Sequence, residues 1–188
     1  ADAMQGVVVG NEVHDAMPVK LLARVSDQWF ERGVARGPDG VLRYADQITG
    51  LRPPVEIEGV HDYLTEIHPQ AQAFVATLAD RLQRGAVFLI DYGFPEAEYY
   101  HPQRHMGTVM CHQGHKSDGN PLVQVGAKDI TSHVDFTGVA LAGQEAGLSV
   151  LGYCNQARFL IYRVLVAPVE AATRAPESAA LVVGAAGA

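Results

Sequence analysis

The sequence predicts an α/β fold built on a parallel sheet, and three observations carry that prediction. Val7–Gly10, in GVVVGNE, is an unbroken β-branched run, the pattern of a strand buried on both faces. Ala86–Asp91, in AVFLIDYG, is a second run of the same kind. Ahead of it, HPQAQAFVATLADRLQRG places Phe74, Leu78 and Leu82 at a spacing of four. That is the stripe of an amphipathic helix, with Gly85 as its expected stop. Helices alternating with buried strands cover a parallel sheet.

The remaining elements follow in order. Pro18 limits any local helix after the first run. Residues 28–47 alternate polar and apolar side chains around Pro38-Asp39-Gly40, and are expected to form a β-hairpin. Proline presets φ at such a turn and glycine takes the positive-φ position. Arg52-Pro53-Pro54 marks a loop. The polar stretch 94–128, rich in His, Gly and Pro, is expected to be a loop or lid without regular structure. DITSHVDFTGVALAGQEAGL opens with possible caps and should continue as a helix ending at Gly147. LSVLGY is a third strand candidate and IYRVLVAP, beyond Phe159, a further one. The last twenty residues are Ala-rich and are expected to be a frayed helix or a tail.

Composition narrows the function classes. The chain has 188 residues, 48 % hydrophobic and 19 % charged, with a formal net charge of -7. That is a globular balance. The negative surface would repel a phosphate backbone, so nucleic acid is not an expected partner. It suits a cationic substrate, although an acidic surface also serves solubility. Cys111 and Cys154 are far apart in the sequence and read as reduced thiols of a cytosolic protein. No apolar run approaches the ~20 residues of a membrane span. The opening ADAMQG has no basic segment of the kind that begins a signal peptide. It also lacks an initiator methionine and leads at once into a strand. The chain is therefore expected to begin inside a larger fold.

In open parallel sheets ligands bind beyond the carboxyl ends of the strands. The polar residues there are the first site candidates: Asn11, Glu12 and Asp15 after the first run, Asp91 and Tyr92 after the second. The ordinary alternatives are capping, local ion pairing and strand-end hydrogen bonding. His133 and Asp135, in TSHVDF, could form a hydrogen-bonded pair at a helix start. There the histidine would either take a proton from a substrate or serve structure alone. HPQRH and CHQGH invite a zinc reading, but no CxxC is present and no metal ligand is assigned.

Several longer motifs occur in order: GVVVGNEVHDAMPV, IDYGFPEAEYYHPQR, GTVMCHQGH, KDITSHVDFT and GYCNQARFL. Together, from about Gly6 to Phe159, they resemble the MidA family of SAM-dependent methyltransferases, whose mitochondrial members assist assembly of respiratory complex I. The resemblance implies part of a class I, Rossmann-like methyltransferase sheet with an inserted hairpin and a long lid. Residues 1–165 would be the C-terminal part of that domain and 166–188 a tail. It implies S-adenosylmethionine as cofactor and a protein arginine, in a complex I subunit, as substrate. GVVVGNEV corresponds to the fourth strand of such a sheet. The Gly-rich turn after the first strand, and the acid after the second that would hold a ribose, are not in this sequence. A missing N-terminal half or a second copy of the chain is thus an expected partner.

On this resemblance Glu12, Asp15 and His133 are the catalytic candidates. Asp91, Tyr92, Arg104 and Asp129 are expected on the substrate and Asn11 on the cofactor. The implied compartment is the bacterial cytoplasm, or the mitochondrial matrix in a eukaryote. A binding or assembly module without catalysis is the rival expectation.

Overall fold

The structure is a computed structural model and describes residues 3–160 and 179–185. In chain order the first elements are strands β1 (Met4–Asn11), β2 (Lys20–Val25), β3 (Gln28–Arg36), β4 (Leu42–Ile48) and β5 (Tyr63–Ile67). Helix α1 (Pro69–Arg81) runs directly into β6 (Leu82–Asp91), followed by β7 (Gly93–Phe94) and α2 (Glu96–Tyr99). Then come β8 (Met110–Gln113), β9 (Lys116–Asp118), β10 (Asp129–Thr131) and β11 (Val134–Asp135). The last are α3 (Phe136–Glu145), β12 (Ser149–Asn155), α4 (Gln156–Leu160) and β13 (Ala179–Ala185).

The chain divides into two compact units, of which the first holds residues 1–15, 70–95 and 134–188. Its main sheet has the order β1-β6-β13-β12, with every pair parallel. The two apolar runs are adjacent and in register, with Val7 opposite Ala86 and Asn11 opposite Ile90. Their polar carboxyl ends therefore lie side by side.

The core of this unit joins Val75 of α1, Val87 and Leu89 of β6, Val139 of α3 and Leu148. The helix stripe sits one position off its expected place. Ala71 and Val75 are the buried residues of α1, Phe74 and Leu78 are half-buried, and Leu82 already belongs to the strand. Gly85 is not a helix stop. It lies in β6 at φ 146°, where a Cβ would run into the carbonyl oxygen of Gly6, so it permits the close approach of β1.

Two further expectations change. β1 is not buried on both faces: Val7 and Val9, which share one face, are 65 % and 66 % exposed, and β1 is also an edge strand among the described residues. The Ala-rich end contains strand β13, inserted between β6 and β12. Val182 and Val183 favour a strand, and β6 and β12 supply the hydrogen bonds on either side. The strand expected in IYRVLVAP lies outside the described residues.

Helix α3 begins later than the segment expected for it, because residues 129–131 and 134–135 pair as strands β10 and β11. Asp135 is the N-cap and accepts the Gly138 amide at 3.1 Å, and Gly147 follows at φ 94°.

The second unit comprises residues 16–69 and 96–133. The expected hairpin is present as β3 and β4, with Arg36 opposite Leu42 and Gly40 at φ 79°. It belongs to a larger antiparallel sheet of order β4-β3-β2-β5. Arg24 is buried beneath it, 5.7 Å from the Trp29 ring and 5.9 Å from that of Tyr63. The guanidinium donates to the Ile57 and His61 carbonyls at 2.9 and 3.2 Å, which fastens residues 57–61 to the sheet.

The stretch expected as an irregular lid is in good part ordered. It holds α2 and a three-stranded sheet of order β10-β8-β9. Gly114 and His115, at φ 55° and 63°, make the tight β8–β9 turn. Two successive positive-φ residues match the twist of a two-residue hairpin, and Gly-His conceals that turn better than Asn-Gly would. Among the described residues no helix is long and apolar enough to cross a membrane.

Candidate functional site

The candidates in the first unit converge at the carboxyl ends of β1 and β6. Beyond Asn11 the ladder makes one more bond, from the Glu12 amide to the Ile90 carbonyl at 2.9 Å. Glu12 itself has φ 51°, a left-handed conformation uncommon for a residue with a Cβ. The chain then turns through Val13, His14 and Asp15. All three amides point at one oxygen, Asp91 Oδ2, at 3.1, 2.8 and 3.4 Å. The other oxygen accepts the Tyr92 amide at 2.9 Å. A carboxylate accepting several N–H groups in a concave turn is an anion in a backbone nest.

Asp91 is 1 % exposed. The expectation that it contacts substrate gives way to an internal role, because both of its oxygens face protein amides. Asp15 is also buried, while Asn11 and Glu12 are exposed. Asn11 makes no side-chain hydrogen bond among the described residues, so its amide can serve a ligand. The Tyr92 hydroxyl donates to Glu12 Oε1 at 3.3 Å. The Glu12 carboxylate raises the Tyr92 phenol above its ordinary pKa, with Asp15 and Asp91 adding to the effect. Three acids around one phenol make a site that favours a cation.

His14, inside this turn, was not among the expected residues. It is 2 % exposed, its ring stands edge-on to Phe74 at 5.5 Å, and Nδ1 lies 4.0 Å from Asp91 Oδ2. Its Nε2 has no hydrogen-bond partner among the described residues. Burial lowers its pKa against the opposing pull of Asp91, so the ring is neutral at pH 7.

The other expected residues belong to the second unit. Arg104 Nε donates to the Glu98 carbonyl at 3.2 Å and its Nη2 lies 3.8 Å from Glu98 Oε1. With His101, Gln103, His105 and Met106 these residues line a cavity of about 450 Å³. Asp129 is exposed on β10, opposite His112. His133 is half-buried, and its amide donates to Thr108 Oγ1 at 3.0 Å. Asp135, expected as its partner, caps α3. Among the described residues no three His, Cys, Asp or Glu side chains group as metal ligands would.

Sequence reasoning missed the most buried acid of this unit. Glu66 is 0 % exposed. Its Oε1 accepts the Thr108 and Val109 amides at 2.8 and 3.2 Å, and its Oε2 the Tyr99 and Thr108 hydroxyls at 2.9 and 3.1 Å. His68 Nε2 reaches the same Tyr99 hydroxyl at 3.0 Å. The hydroxyl gives its proton to Glu66 and so receives one from His68. The signal was an acid in YLTEI, a short strand otherwise apolar or β-branched.

The family described as "Putative S-adenosyl-L-methionine-dependent methyltransferase" matches residues 1–154. The chain belongs to this methyltransferase family. Two solved structures agree. A COG1565 superfamily member from Burkholderia thailandensis, bound to S-adenosyl-homocysteine, is 44 % identical with a TM-score of 0.80. The match covers 92 % of this chain and 47 % of that one. A native structure of an uncharacterized COG1565 superfamily protein from the same organism is 45 % identical with a TM-score of 0.79, covering 92 % and 49 %. The methyltransferase-family chain thus spans about half the length of these two. No curated protein matches it.

The family's cofactor is S-adenosylmethionine. Asn11, exposed at the end of β1, could offer its side-chain amide to it. No Gly-rich strand–turn–helix cradle occurs among the described residues.

Proposed function

We propose that the intact protein is a SAM-dependent protein methyltransferase that acts on an arginine, in a complex I assembly role of the MidA type. The observation that supports this is the exposed Glu12 carboxylate, beside the Tyr92 hydroxyl and backed by Asp15 and Asp91. When bound, S-adenosylmethionine supplies a methyl group already activated on a sulfonium. The protein then contributes chiefly position and electrostatics.

In this reading Glu12 holds the guanidinium by charge-assisted hydrogen bonds and orients its planar fork. The nitrogen that gains the methyl group loses a proton, and the ionised Glu12 is the group assigned to receive it. Tyr92 fixes one Glu12 oxygen and Asn11 faces the cofactor. Arg104 and Asp129 are assigned to the protein substrate, and His133 remains a catalytic candidate. Complex I and the arginine are carried by the resemblance of the motifs rather than by the geometry. The two structural relatives are bacterial proteins, and the bacterial cytoplasm is the compartment proposed.

The second reading is a non-catalytic assembly module. The test is Glu12→Gln in the full-length protein, which keeps the shape and removes the charge. A charged hydrogen bond contributes about 1.5–3 kcal/mol, and about 1.4 kcal/mol is tenfold in rate. Methyl transfer should fall roughly ten- to hundredfold with SAM binding nearly unchanged. Full activity would remove Glu12 from the mechanism. Parallel loss of SAM binding would move it to the cofactor.

A further inference from the structure

We infer that Asp91 is a positioning residue for Glu12, acting through the backbone of residues 13–15. The inference rests on the reading of Glu12 as the group that meets the substrate. Glu12 has a φ of 51°, which a residue with a Cβ keeps only where the surroundings impose it. Its own side chain does not impose it, being exposed with one hydrogen bond, to Tyr92 at 3.3 Å. Both flanks do. On one side the Glu12 amide is tied to the Ile90 carbonyl at 2.9 Å. On the other, Asp91 Oδ2 gathers the next three amides.

Both fastenings come from the end of β6, so the direction of the Glu12 side chain is set by the neighbouring strand. A carboxylate has acceptor sites on both oxygens, three amides meeting one and a fourth the other. Asparagine would turn an NH2 toward one of these sets. Glutamate would push the acceptor out of the turn while keeping its charge. A direct substrate contact by Asp91 is inconsistent with its burial. A misplacement of about 1 Å at a reacting group costs on the order of 100-fold in rate.

The experiment uses the full-length protein and compares Asp91→Asn, Asp91→Glu, Glu12→Gln and the Asp91→Asn/Glu12→Gln double variant. Two quantities are read for each: methyl transfer, and the alkaline titration of the Tyr92 phenol, isolated as the difference from Tyr92→Phe. The titration needs neither cofactor nor substrate. Both Asp91 variants should lower kcat at least tenfold with SAM binding unchanged. Both should lower the Tyr92 titration midpoint, Asp91→Glu included, because Glu12 drifts from the phenol. In the Glu12→Gln background Asp91→Asn should shift the midpoint much less, since its route is gone.

Equal shifts in both backgrounds would show that Asp91 acts on Tyr92 directly and would overturn the inference. So would an Asp91→Glu protein that titrates and turns over normally. Failure of both Asp91 variants to fold would also overturn it, by making Asp91 a residue of the core. If the coupling holds but Glu12→Gln is fully active, the positioning stands and the reading of Glu12 as the substrate group fails.

Discussion

Glu66 offers the sharpest test of how the second unit is held together. Replacing it with leucine removes the acceptor for two part-buried amides and two hydroxyls. The hydroxyls of Tyr99 and Thr108 lie 3.1 Å apart and can pair with each other. The amides of Thr108 and Val109 have no such recourse. A buried donor left without a partner costs about 1–3 kcal/mol, so the loss should be about 2–6 kcal/mol, the upper end being a ceiling because the amides are only part-buried. Glu66→Gln should cost far less, about 1 kcal/mol. Its carbonyl oxygen can keep both amides while its NH2 donates to a hydroxyl, and what is lost is the charge-assisted part. Trp29, the only tryptophan in the sequence, is buried in this unit. Urea unfolding followed by its fluorescence therefore reads the effect, with an unchanged slope as the check on comparability. A Glu66→Leu protein within 1 kcal/mol of the parent, or a glutamine variant as unstable as the leucine one, would refute the reasoning.

Other consequences follow from the first unit. His14 has its pKa lowered by burial, so the folded state binds fewer protons than the unfolded one below the ordinary value of 6.5. Its contribution is complete above that pH and is lost as the pH falls from there toward the folded value. Acid titration of stability should flatten in this range in His14→Gln, and an unaltered profile would contradict the assignment. Among the described residues β1 is an edge strand of its sheet and exposes Val7 and Val9 on one face, and an apolar edge strand invites further pairing. The 188-residue chain should therefore self-associate in light scattering and do so less as Val7→Lys/Val9→Lys. A stable monomer at high concentration would argue that the edge is inert.

What the sequence disclosed depended on whether a signal was local. The parallel pairing of Val7–Gly10 with Ala86–Asp91 was legible because both runs are apolar and both end in polar residues. The β3–β4 turn was legible from Pro38 and Gly40, and the end of α3 from Gly147. Strands β2 and β5 were not, because KLLARV and YLTEI are short and show neither clear alternation nor turn signals. The exposure of one β1 face is set by what packs over it, a property absent from its own residues. The same holds at the site. Asp91 could be found as an acid at a strand end, but its burial depends on three amides some 76–78 positions away. Glu12 could be picked out as an acid at a strand end, but its exposure, unlike the burial of Asp15 and Asp91, was not readable from that position.

The central claim is methyl transfer to an arginine, and mass spectrometry tests it most directly. The full-length protein would be incubated with isotopically labelled S-adenosylmethionine and its protein substrate, and the modified residue mapped by fragmentation. The account predicts labelled methyl on an arginine with the parent protein and a strong reduction with Glu12→Gln. Label on another residue type, or no label despite measurable SAM binding, would contradict it.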